Sequence, residues 1–193
     1  MSLQKFTPLI QTTVADSIQV KQSFFDTHLA AVETCARKMA DTLTAGGKLL
    51  LFGNGGSAAD CQHIAAEFIN RFAMERPPLP AIALTCDTSV LTSIGNDYSF
   101  DDIFLKQIQA LGRPGDLAIA ISTSGNSPNV IRAAEEAGKM GLFVVGFSGT
   151  AGRLQELSDI PFCVHSPVTA RIQETHILLA HILCDLTERI LFA

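Results

Sequence analysis

Four short runs of the chain, Lys48 to Phe52, Ala81 to Leu84, Leu117 to Ile121 and Leu142 to Phe147, are apolar without polar alternation. A strand with one face in water alternates apolar and polar residues, so uninterrupted runs fit strands covered on both faces. A weaker fifth run lies at Ile160 to Val164. The intervals between runs are long enough for helices, which is the pattern of a parallel sheet with helices on each side. The fold expected is α/β in three layers.

Leu29, Val32, Ala36, Met39 and Leu43 recur at helical spacing before the stop signal Gly46-Gly47, which predicts an N-terminal helical region over about 4–45. The α/β core then occupies about 46–165. No Gly or Pro follows Pro167, so a long helix is predicted over about 168–192. No repeat, low-complexity tract or linker divides the 193 residues, and the expectation is one domain over 1–193.

Charge weighs against one class of function while leaving a local basic patch open. With 14 Lys+Arg against 19 Asp+Glu the net charge is −5, which argues against a broadly basic nucleic-acid surface. Charged residues make up only 17%, below the ~25% of an average soluble domain, so part of the surface is expected to be covered by other subunits. No segment approaches the ~20 apolar residues that span a bilayer, and Met1 to Gln4 is not a basic region leading into an apolar run. A soluble, cytoplasmic protein is expected. Cys35, Cys61, Cys86, Cys163 and Cys184 form no Cys-x-x-Cys pair, and their odd number predicts reduced core thiols.

Two loops at strand ends carry the chemistry. Gly53-Asn54-Gly55-Gly56-Ser57 follows the first run and precedes a helix predicted over Ser57 to Phe72. Glycines let backbone amides approach an anion, and the helix start adds unpaired N–H donors, so a phosphate or sugar oxygen fits there. An ordinary tight βα turn is the plainer alternative. Gly53-x-Gly55-x-x-Ala58 also meets the relaxed dinucleotide fingerprint, with Asp87 as a ribose-binding acid, but Asp87 lies beyond the expected spacing of about 20 residues. The second loop is Ser122-Thr123-Ser124-Gly125-Asn126-Ser127. Ser127 suits an N-cap and Pro128 a first helical position, yet four hydroxyls in six positions exceed what capping needs. Hydroxyls crowded at a strand's carboxyl end suit a phosphate or phosphosugar.

His63 and Glu67 are spaced i, i+4, one turn apart on one helix face, where such a pair holds a metal or transfers a proton. The last helix adds Gln173 and His181, eight residues apart and near one azimuth, about 12 Å along the axis. His176 is rotated off that line and reads as structural or interfacial. Gly95-Asn96-Asp97 is a turn sequence, with Asp97 an acceptor for sugar hydroxyls if it faces the cleft.

Taken in order, Asn54-Gly55-Gly56-Ser57, His63-x-x-x-Glu67, Gly95-Asn96-Asp97, Ser122 to Ser127 and Arg171-Ile172-Gln173-Glu174 resemble the sugar isomerase (SIS) family in its phosphoheptose isomerase branch. The resemblance covers nearly the whole chain. It implies a flavodoxin-like domain with a five-stranded parallel sheet, a homotetramer with active sites between subunits, and conversion of sedoheptulose 7-phosphate to D-glycero-D-manno-heptose 7-phosphate, the first step toward nucleotide-activated heptose for lipopolysaccharide. It implies one zinc ion per subunit on His63, Glu67, Gln173 and His181. Glu67 and His181 would be catalytic. Substrate contacts would come from Asn54, Gly55, Gly56, Ser57, Glu67, Asn96, Asp97, Ser122, Thr123, Ser124, Ser127 and Gln173. The chain departs from the branch at Ala170, where an acid is usual before Arg-Ile-Gln. The alternative is a noncatalytic SIS tetramer that binds a replication initiator protein or senses a phosphosugar.

Overall fold

The computed structural model describes residues 5–193; Met1 to Gln4, where the predicted N-terminal helical region starts, lie outside the described residues. The expected helical region is one helix, α1 (Thr7–Thr44), followed by β1 (Leu49–Gly53), α2 (Gly56–Ile69), β2 (Ala81–Ala83), α3 (Thr88–Asp97) and α4 (Leu105–Leu111). The chain continues through β3 (Leu117–Ser122), α5 (Pro128–Lys139), β4 (Phe143–Ser148), β5 (Ile160–Cys163) and α6 (Thr169–Phe192).

All five runs form strands, and every pairing is parallel in the order β2-β1-β3-β4-β5. Alternate strand residues serve opposite faces, which explains why the runs lack polar positions. Leu49, Leu51, Leu117, Ile119 and Ile121 join the core beneath α1, α2 and α6. Leu50, Phe52, Ala118 and Ala120 join the core on the other face, with Ile108, Val130 and Ala134. The sheet is thus sealed on both sides, giving the expected three layers.

Two expectations need correction. α2 ends at Ile69 rather than Phe72. The Arg76 side chain takes the carbonyls of Glu67, Phe68 and Asn70, so the helix end is satisfied without further turns. Second, the thiols are not all in the core: Cys35, Cys61 and Cys184 are buried, but Cys163 is half-buried and Cys86 exposed. Cys86 follows the short edge strand β2, where the core ends. Burial pushes the Cys35 thiol up to about 12, which leaves it protonated and inert at neutral pH.

Candidate active site

β1 and β3 are neighbours, with Gly53 opposite Ile121, and the chain leaves their carboxyl ends toward opposite faces of the sheet. That is the switch point at which open α/β sheets bind ligands. The glycine loop and the serine loop flank it. Asn54 and Asn129 join them by a reciprocal amide pair, each donating to the other at 2.9 Å. Neither N-cap residue of α2 or α5 makes a side-chain cap hydrogen bond. The Ala58 amide is taken by the Asn54 and Gly55 carbonyls and the Val130 amide by Asn129 Oδ1, which leaves the Gly56, Ser57 and Asn129 amides to meet an anion.

In the serine loop Ser122 Oγ lies 2.9 Å from Ser127 Oγ and 3.4 Å from Ser124 Oγ, forming a hydroxyl cluster. Gly125 at φ +67° turns the loop. A Cβ on it would come within 2.6 Å of the Ala151 carbonyl oxygen, so the loop can pack on the segment after β4 only with glycine there. Thr123, half-buried, completes the loop.

α2 and α6 run side by side in the same direction. At their start, Gln173 reaches α2 at Gly56, whose absent Cβ would lie 2.6 Å from the Gln173 amide nitrogen. Two turns on, His63 Nε2 and His181 Nε2 are 2.9 Å apart, and His63 Nε2 lies 3.4 Å from Glu67 Oε1. An imidazole pair at that distance shares one proton, so one ring donates and the other accepts. The Phe72 ring packs on His181 at 5.5 Å between centroids. Burial, then the His63 charge, lower the His181 pKa against the opposing pull of Glu67, which favours the neutral base.

The structure thus brings together His63, Glu67 and His181, joins Gln173 to Gly56, and clusters Ser122, Ser124 and Ser127. Ser57 is buried in the first turn of α2. Asn96 and Asp97 are exposed at the end of α3 and bond to each other at 2.8 Å, outside these contacts. Asp87 caps α3 by accepting the Val90 amide at 3.0 Å, which accounts for it without a ribose. Ala170 is exposed in the first turn of α6.

Sequence reasoning missed Asn129 and Asp60. Asn129 is 2% exposed and sits 75 positions from its partner, a pairing no local pattern reveals. Asp60 precedes His63 by one turn, so the i, i+3, i+7 series Asp60, His63, Glu67 was the available signal. Its Oδ2 is buried with no hydrogen-bond partner among the described residues, and burial raises its pKa against the lowering effect of His63.

A metal finds suitable donor types here, with two imidazole nitrogens and a carboxylate oxygen directed at one region. Among the described residues, however, no three His, Cys, Asp or Glu groups are spread around a common centre. His63, Glu67 and His181 would hold a cation only once the hydrogen bond between the two imidazoles is given up, since a ligating nitrogen must be unprotonated.

A doubly wound α/β chain with two such loops at its switch point belongs to the class of open-sheet proteins that bind ligands there. Comparison narrows the class: the model of the SIS domain family matches residues 14–149, and the chain belongs to that family. It is 56% identical to the phosphoheptose isomerase of Nitratidesulfovibrio vulgaris over 178 residues, covering 92% of this chain and 86% of that one. Among solved structures, phosphoheptose isomerase GmhA from Neisseria gonorrhoeae is 43% identical with a TM-score of 0.89, covering 97% of this chain and 100% of that one. A phosphoheptose isomerase from Francisella tularensis is 40% identical with a TM-score of 0.91, covering 98% and 100%.

Proposed function

We propose that this chain is a phosphoheptose isomerase, interconverting sedoheptulose 7-phosphate and D-glycero-D-manno-heptose 7-phosphate. The observation that carries the reading is the convergence of Glu67, from α2, and His181, from α6, on the same His63 nitrogen, on the helix that begins at the glycine loop. The relatives compared above bear that enzyme's name, and none of them is named as an adaptor. The initiator-binding alternative is not favoured.

Ketose-to-aldose conversion removes a proton from C1, forms an enediol, and delivers a proton to C2 while the hydroxyl proton passes from O1 to O2. Glu67 and His181 are the bases placed to do this. The serine loop and the first turns of α2 and α5 hold the phosphate, fixing the distance from tail to reacting carbons. Asn54, Gly55, Gly56, Ser57, Thr123, Gln173, Asn96 and Asp97 are the further substrate contacts of this reading, Asn96 and Asp97 from the exposed end of α3. Zinc held by His63, Glu67, Gln173 and His181 would act as a Lewis acid on the sugar oxygens.

The same reading places the enzyme as a homotetramer with sites between subunits, acting in the cytoplasm at the head of a route to activated heptose for lipopolysaccharide. Among the described residues no helix is long and apolar enough to cross a membrane. Purified protein supplied with zinc is expected to turn over sedoheptulose 7-phosphate, and folded Glu67→Gln and His181→Ala variants to lose about 10²-fold or more. Absence of turnover in the zinc-supplied wild type would remove the reading.

A further inference from the structure

Arg76 and Glu188 form an ion pair at 3.0 Å in which both side chains are only 1% exposed. Every oxygen of the carboxylate is used. Glu188 Oε1 accepts the Phe72 amide at 2.7 Å and Arg76 Nε at 3.0 Å, and Oε2 accepts the amides of Ala73 and Met74, each at 2.9 Å. The guanidinium reaches the other way, Nη1 donating to the Phe68 carbonyl at 2.6 Å and Nη2 to the Glu67 carbonyl at 2.8 Å. Burial works to raise the Glu188 pKa, but the three amides and Arg76 outweigh it and hold the carboxyl below its ordinary range.

Closing the end of a helix does not require two buried charges, whose desolvation costs several kcal/mol each and which apolar residues often replace without loss of stability. What the pair adds is placement. It bonds the backbone of Glu67 directly. Through the Phe72 amide it also fixes the residue whose ring packs on His181, and Glu188 itself lies two turns beyond His181 on α6. A guanidinium fork engaged on both sides has one geometry, so α2 cannot slide along α6 without breaking several charge-assisted bonds.

We infer that the Arg76–Glu188 clasp is a positioning device that sets α2 against α6 and so fixes the separation of the Glu67 carboxylate and the His181 imidazole. The inference rests on the roles proposed above for those two residues. Neither Arg76 nor Glu188 touches the substrate loops.

Glu188→Gln turns one acceptor oxygen into a donor that faces backbone N–H groups. Arg76→Lys is the milder variant, keeping the charge but losing the fork that reaches Glu67. In each variant that keeps the wild-type circular dichroism, kcat for sedoheptulose 7-phosphate is expected to fall about tenfold or more with KM within about twofold, since a displacement near 1 Å costs up to 10²-fold in rate. The His181 imidazole ¹⁵N and ring-proton NMR signals are expected to shift, as the Phe72 ring moves. An active wild type whose folded variants keep both kcat and His181 signals would overturn the clasp's role. An inactive wild type whose variants still shift the His181 signals would support the clasp and overturn the isomerase reading.

Discussion

His176 shows how one residue's surroundings become a property of the whole domain. It is 1% exposed, and its Nε2–H donates to the Ser148 carbonyl at 3.1 Å, while its Nδ1 has no partner among the described residues. Burial pulls its pKa down to about 4, against a smaller opposing effect of the Ser148 bond. The folded state therefore keeps it neutral at pH values where the unfolded chain takes up a proton. Its contribution is fully present above the unfolded value near 6.5 and is lost as pH falls toward about 4, a change of roughly 3 kcal/mol. His176→Gln keeps an N–H donor but does not titrate. Urea unfolding at pH 7 and at pH 4.5 is expected to show a smaller loss of stability in the variant than in wild type. Equal losses would remove His176 from the acid response. Its structural role was legible from azimuth on the last helix, as was the His63–Glu67 pair from i, i+4 spacing. The partners of Asn54 and Glu188 were not legible, because they lie 75 and over 110 positions away and only the fold brings them together.

At the scale of elements, the apolar runs announced all five strands, because strands buried on both faces leave no polar position. Ends were less legible. α2 is shorter than its periodicity suggested, since Arg76, a few residues beyond its end and anchored by the distant Glu188, supplies its cap. α5 is the most telling element. Ser127 occupies its N-cap position and Pro128 the first turn, as expected, but the Ser127 hydroxyl makes no capping bond and turns to Ser122 instead. An N-cap serine replaced by alanine costs about 1 kcal/mol in the usual case. Ser127→Ala is therefore expected to change stability by less than about 0.5 kcal/mol while raising KM for the phosphosugar about tenfold. A loss near 1 kcal/mol with unchanged KM would return Ser127 to the role of a plain cap.

For the whole molecule, the low charge content pointed to covered surface, and α1 shows where. The first buried residue along its 38 is Phe24. Before it, Leu9, Ile10, Val14 and Ile18 are all more than half exposed, and Leu29 beyond it is 67% exposed. At 1.5 Å per residue the helix is about 57 Å long, with an apolar face that one subunit does not cover. This fits the proposed tetramer, and light scattering is expected to give about four times the 20.7 kDa of the chain. Val14→Glu with Ile18→Glu is expected to yield smaller species. A wild type that stays monomeric at micromolar concentration would contradict the assembly.

The account depends above all on Glu67 and His181 moving a proton between adjacent sugar carbons. The direct measurement is incubation of sedoheptulose 7-phosphate with the zinc-supplied protein in D₂O, followed by NMR at C1 of the ketose and C2 of the aldose. The wild type is predicted to place deuterium at these carbons, and folded Glu67→Gln and His181→Ala to slow that labelling by about 10²-fold or more. Labelling at the wild-type rate in both variants would contradict it.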